Sequence, residues 1–118
     1  AIDLGSAPPI KPWDDVPRMG ALVQSLVHDA IDSFVDKDDV KAQSVIDRDD
    51  EVDELYTKCF RDLLAIMTRD PTTLERGIHA QSVAKWLERM ADHATNLAEQ
   101  VIFFVKGRDV RHVGKLDG

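Results

Sequence analysis

The feature that most restricts the fold is a run of small and apolar residues: Ala80, Ala84, Leu87, Ala91, Ala94, Ala98, Val101 and Val105, spaced alternately four and three apart. That alternation puts every member on one side of an α-helix, and held over about seven turns it is the seam of a helical bundle. Because most of the seam is alanine, neighbouring helices can approach closely there.

The segments before the seam supply its partners. Asp70-Pro71 marks the start of the seam helix, since proline disfavours helical geometry in the residue before it yet suits a first helical position itself. This helix is expected to stop at Gly107. Upstream, Val40, Val45, Val52, Leu55, Cys59, Leu63 and Ile66 form a second apolar stripe, opened by the acidic cluster Asp36, Asp38 and Asp39 and running to about Thr68. A first helix is expected over about residues 15 to 35, with Asp14 and Asp15 as caps and Pro17 in its first turn. Its stripe is Met19, Leu22, Val23, Leu26, Ala30 and Phe34. Residues 1–13, AIDLGSAPPIKPW, hold three of the five prolines and show no helical period, so they read as a linker or the end of a preceding element; residues 14–118 read as one domain. At ~1.5 Å per residue the second and third helices would each be roughly 45 to 50 Å long, and the short turn between them forces an antiparallel hairpin. The expected fold is all-α, an antiparallel up-down-up three-helix bundle.

Composition narrows the functional classes. A chain of 118 residues supports one core, and 43% hydrophobic with 31% charged residues is the balance of a globular domain. The net charge of −7 would repel a phosphate backbone, so no nucleic-acid partner is expected. No stretch approaches the ~20 apolar residues needed to cross a bilayer, and no charged segment followed by an apolar one opens the chain, so a soluble, non-secreted protein is expected. The lone Cys59 lies in phase with the second stripe and reads as a buried thiol.

Chemistry is concentrated in two carboxylate pairs. Asp49 with Asp53, and Glu88 with Asp92, are each four residues apart, which stacks both members on one helical face. The pair midpoints, residues 51 and 90, lie equally far from the turn at 70 and 71, so an antiparallel hairpin brings both to the same height. On a helical wheel the first pair borders its apolar stripe and the second lies roughly 120° to 160° from the seam, which makes this a surface site. Four converging carboxylates repel one another without a cation, and oxygen-rich ligation suits magnesium, manganese, calcium or iron better than a thiolate-type zinc site. A bundle-internal di-iron enzyme would instead need inward-facing glutamates and Glu-x-x-His repeats; here Glu75 and His79 are four apart, not three. His28, His79, His93 and His112 are scattered and read as surface or half-buried histidines rather than ligands. Phe103 falls opposite the seam, toward solvent, and is a candidate partner contact.

The run VAKWLERMADHATNLAEQVIFFVKGRDVRHVG, Val83 to Gly114, resembles the last helix of PhoU proteins, which reads approximately A-x-x-L-E-R-I-G-D-x-x-x-N-I-x-E and then Y-x-x-x-G-x-x-x-R-H. VIDRDDEVDELY, Val45 to Tyr56, resembles that family's second-helix motif, and IKPWDDVPRMG, Ile10 to Gly20, the junction that opens its second repeat. Together these cover nearly the whole chain; one departure is Ala91, where the family commonly has glycine. The resemblance implies one three-helix repeat of a tandem pair, placed second by the ending Gly107, Arg111, His112. It implies that Asp49, Asp53, Glu88 and Asp92 match the E(D)-x-x-x-D motifs that bind iron or other metals on the bundle surface, with a divalent or trivalent ion such as iron, manganese, magnesium or zinc expected. It further implies a cytoplasmic, non-catalytic negative regulator linking the phosphate ABC transporter ATPase to a membrane sensor histidine kinase. Such a protein would reach the membrane only through those partners, and a homodimer is compatible with it. Two readings remain open beside it: a metal-dependent enzyme or metal store built on the acidic cluster, and a phosphate-permease-associated relative of the same fold.

Overall fold

The computed structural model describes residues 11–117, with side chains described over residues 13–107. Helix α1 (Lys11–Asp36) runs up, α2 (Asp39–Arg69) runs down, and a single 3-10 turn (Pro71–Thr73) leads into α3 (Leu74–Asp117), which runs up again. The described chain is all-α, an elongated three-helix bundle measuring 74 × 21 × 16 Å. None of its helices is long and apolar enough to cross a membrane.

Both connections are short because the residues at them close the helix ends by themselves. At the α1–α2 corner Lys37 adopts a left-handed conformation (φ 53°), and the Asp38 amide donates to the Ser33 carbonyl at 2.9 Å. This is the six-to-one bond that ends many helices at a glycine. Asp38 then caps α2, its carboxylate accepting the Lys41 amide at 3.0 Å. At the other end the Asp70 amide donates to the Ile66 carbonyl at 2.8 Å, while its carboxylate accepts the Thr72 amide at 3.1 Å and the Thr72 hydroxyl at 2.6 Å. One aspartate thus closes α2 and opens the turn to α3, and these bonds from Thr72 hold its carboxyl below the usual carboxylate range.

The three stripes meet in one core. Met19, Val23, Leu26 and Ala30 of α1 pack with Val45, Val52, Cys59 and Leu63 of α2 and with the seam of α3. Ala84, Ala91, Ala94, Ala98 and Val101 are buried, and Ala80, Leu87 and Val105 are partly buried against them. Where α3 leaves the turn the helices approach so closely that a methyl group at Gly77 would lie 2.6 Å from the Met67 Cγ.

Four details differ from the sequence reading. Helix α1 is already formed at Lys11, the first described residue, rather than beginning near residue 15, so Pro17 lies inside it and residues 11–13 belong to the helix rather than to a linker; residues 1–10 fall outside the described part. The extra turn is held because Trp13 and Val16 pack against the core and the Arg76 guanidinium lies 4.6 Å over the Trp13 ring. Asp15 does not cap the helix: it is buried, and it accepts from Lys58 Nζ at 2.9 Å with Arg18 at 3.7 Å. Helix α3 does not stop at Gly107, which keeps a negative φ, and continues to Asp117, because glycine ends a helix only where it turns left-handed. Finally, Phe34 and Val40 are exposed (61% and 76%) because both lie beside the α1–α2 corner, at the edge of the shared core.

Candidate functional site

Helical phase gives the two sides of α2 different work. Arg48 turns toward α1, bonding Asp29 and the Ser25 hydroxyl, whereas Asp49, one residue and 100° further on, turns toward α3. Asp53 follows four residues later on the same side, then Tyr56, whose hydroxyl accepts from Gln81 Nε2 at 2.9 Å and whose ring lies 5.5 Å from Lys85 Nζ. These contacts fix the α2/α3 register, and the next turns of α3 bring Glu88 and Asp92 to the height of Asp53 and Asp49.

The electrostatics follow from this convergence. Burial pushes the Asp49 carboxyl above the ordinary carboxylate value, and Asp53, Asp92 and Asp50 push it the same way. Burial likewise raises Asp53, with Glu88, Asp92 and Asp50 adding to it. All four expected residues are therefore gathered on one face, and Asp50, which the sequence reading passed over, contributes to the same field. Asp49 and Glu88 are half-buried at the rim of the core, whereas Asp53 and Asp92 are exposed.

Two neighbours temper the charge without cancelling it. Lys85 Nζ bonds Glu88 Oε1 at 3.0 Å, a partner that spacing alone, three residues apart on one helix, identifies. Thr95 stands beside Asp49 and partly offsets its shift, but its single hydroxyl proton is donated to the Ala91 carbonyl at 3.0 Å. Asp49 Oδ1 is left buried with no hydrogen-bond partner. An orphaned buried carboxylate oxygen is costly and invites a cation, so the residues present fit a hard, oxygen-ligated metal ion.

Among the described residues, the trio whose ligand atoms all lie within 4.8 Å of one another is a different one, His28, Asp29 and Asp32 on α1. Its charge is already answered by α2: Arg48 bonds Asp29, which lowers the Asp29 carboxyl below its ordinary value, and Lys41 Nζ lies 3.6 Å from Asp32. Tight spacing there reflects ion pairing. The α2/α3 carboxylates are more loosely spaced and carry the uncompensated charge. Phe103 is 82% exposed on α3, as its wheel position implied.

Comparison with known proteins agrees with the helices and motifs described above. The PhoU domain pattern matches residues 16–101. The chain is 44% identical over 95 residues to the phosphate-specific transport system accessory protein PhoU homolog of Caulobacter vibrioides, covering 80% of this chain and 41% of that protein. It is 40% identical over 112 residues to the homolog of Aquifex aeolicus, covering 95% and 51%. Its fold matches the crystal structure of PhoU from Pseudomonas aeruginosa with a TM-score of 0.75 and 37% identity, over 77% of this chain and 44% of that one. The chain thus spans about half the length of the relatives it matches. It belongs to the PhoU family.

Proposed function

We propose that this chain is a metal-binding, non-catalytic regulator of phosphate uptake, an accessory of a phosphate-specific transporter that also conveys phosphate status to a sensor histidine kinase. The observation that carries the transport role is the 40–44% identity to accessory proteins of that system across most of this chain. Regulation by the whole protein draws on the full length of such relatives; this chain contributes one three-helix unit to it.

The metal reading rests on the α2/α3 face. Asp49, Asp53, Glu88 and Asp92 would hold a hard divalent or trivalent ion, with iron, manganese, magnesium and zinc as the candidates. Such an ion supplies positive charge that relieves the mutual repulsion of the carboxylates and partners the buried Asp49 oxygen. The non-catalytic reading is supported by those relatives, which are accessory proteins of a transport system. Phe103 is the proposed contact for the transporter ATPase or the kinase, being at 82% the most exposed large hydrophobic side chain among the described residues.

The experiment is metal content and thermal unfolding of the parent, Asp53→Asn and Asp92→Asn, each with and without added manganese or iron. The parent should bind metal and be stabilised by roughly 2.7 kcal/mol at a hundredfold excess over Kd, the variants much less, with helicity unchanged in all. Equal metal content in the three proteins, or no response in the parent, would return these residues to solvated surface charge. Binding to the purified transporter ATPase and kinase domains, lost in Phe103→Ala with the fold intact, tests the partner assignment.

A further inference from the structure

Toward the α2–α3 turn, the face that carries the carboxylates changes character. On the helical wheel Phe60 and Leu64 lie within about 20° of Asp53, and Leu74 and Ile78 within about 40° of Asp92, so all four share that face. They are 49%, 51%, 51% and 53% exposed and stand outside the core. The bond from Gln81 to Tyr56 sets the height of one helix against the other. One turn past Tyr56, Phe60 therefore stands across from Ile78, and one turn further Leu64 stands across from Leu74. Two apolar rungs thus flank the α2/α3 cleft, each wall built from residues four apart, and Gly77, packed on the Met67 side chain, brings the helices close at this level.

Charge changes at the same place. Before Tyr56, residues 47–54 hold six carboxylates and one arginine. After it, the outer edge of α2 carries Arg61, Ala65, Thr68 and Arg69, which with Leu64 line an open hollow of about 660 Å³. Asp62, the one acidic residue between Tyr56 and Asp70, is taken by Lys58. Among the described residues no carboxylate pairs with Arg61 or Arg69.

An occupant of this cleft must be apolar on one side, to cover the rungs, and anionic toward α2, to answer two unpaired guanidinium groups. Walls of residues four apart match side chains recurring every three or four residues, the spacing of an amphipathic helix laid in a groove. A bilayer is flat, and its anionic headgroups would meet the carboxylates beyond Tyr56 as well as the arginines.

We propose that the cleft between α2 and α3 at the turn end docks an acidic amphipathic helix of a partner protein. Its apolar stripe covers Phe60, Leu64, Leu74 and Ile78, and its carboxylates meet Arg61 and Arg69. Asp53 and Glu88 repel such a helix and so confine it to the turn end, whether or not a metal is bound above.

A synthetic amphipathic peptide of about 18 residues, leucines at helical spacing and glutamates on the flanks, tests this beside a counterpart with glutamine for glutamate. Anisotropy of the labelled peptides with the full chain should show saturable binding of the glutamate peptide that weakens with salt, and roughly tenfold weaker binding of the glutamine peptide. Leu64→Asp should weaken binding roughly thirtyfold and Arg61→Glu roughly tenfold, with helicity unchanged because both side chains lie outside the core. Val40→Ser, exposed at the opposite end of α2, should bind like the parent. A folded parent that leaves the glutamate peptide unbound overturns the proposal, as does equal binding of the two peptides or undiminished binding by folded Leu64→Asp. Phosphatidylglycerol vesicles that bind the parent but not Leu64→Asp, with the peptide unbound, would assign the cleft to a membrane instead. A dimer in sedimentation that Leu64→Asp dissociates would assign it to a second copy.

Discussion

Asp49 condenses the chemistry of the chain into one residue. Its helical phase carries it to the rim of the core, where one oxygen loses both water and hydrogen bonds, and three neighbouring aspartates share its field. The sign of the pH dependence follows. Asp49 and Asp53 have folded pKa values above 3.8, so ionising them opposes folding at neutral pH, and the metal-free protein gains stability as pH falls toward those values. Asp29 and Asp70 are shifted below 3.8, so they stabilise the fold at neutral pH and lose that contribution only as pH falls through their own lower values. Stability of the metal-free chain should therefore peak on the acidic side of neutrality. Melting curves from pH 7 to pH 4 should show this rise in the parent, and Asp49→Asn should melt higher at pH 7 and respond less to acid. A parent whose melting temperature falls steadily over that range would contradict the assignment.

At the scale of single helices, two positions break the usual placement of glycine. Lys37 occupies the left-handed position that ends α1, which costs a side-chain-bearing residue roughly 1 kcal/mol, whereas Gly107 lies inside α3 with a negative φ and with nothing within 4 Å of where a Cβ would be. Both Lys37→Gly and Gly107→Ala should stabilise by about 0.5 to 1 kcal/mol, for opposite reasons. Denaturant unfolding of each variant checks this. A destabilised Gly107→Ala would mean that α3 does end at that glycine.

At the scale of the whole molecule, three long helices close around residues that are mostly no larger than valine on the α3 side. Ala94 is 5% exposed within that seam, and enlarging it leaves no space except by separating helices. Ala94→Leu should cost about 1 to 3 kcal/mol, read as a lower midpoint of cooperative unfolding; an unchanged midpoint would show that the seam is not tightly packed. The bundle also gathers the carboxylates Asp49, Asp53, Glu88 and Asp92 on one surface between α2 and α3.

Much of this was legible in the sequence. The four-three alternation from Ala80 to Val105 required a helix with one buried side, Asp70-Pro71 required a turn, and equal distances from that turn required Asp49, Asp53, Glu88 and Asp92 to share a height, since these follow from helical rise and phase alone. The PhoU motifs were legible for the same reason, being fixed residue types at fixed helical positions. What the sequence did not disclose depended on residues far apart in the chain. Asp15 resembles a helix cap until Lys58, forty-three residues away, pairs with it; Asp49 resembles one surface acid among many until Thr95 turns its proton to Ala91; and α1 begins early because Arg76 covers Trp13. Local periodicity determines which side of a helix is apolar, but only the packed helices decide which polar atoms are paired, which are buried alone, and which apolar side chains are left uncovered.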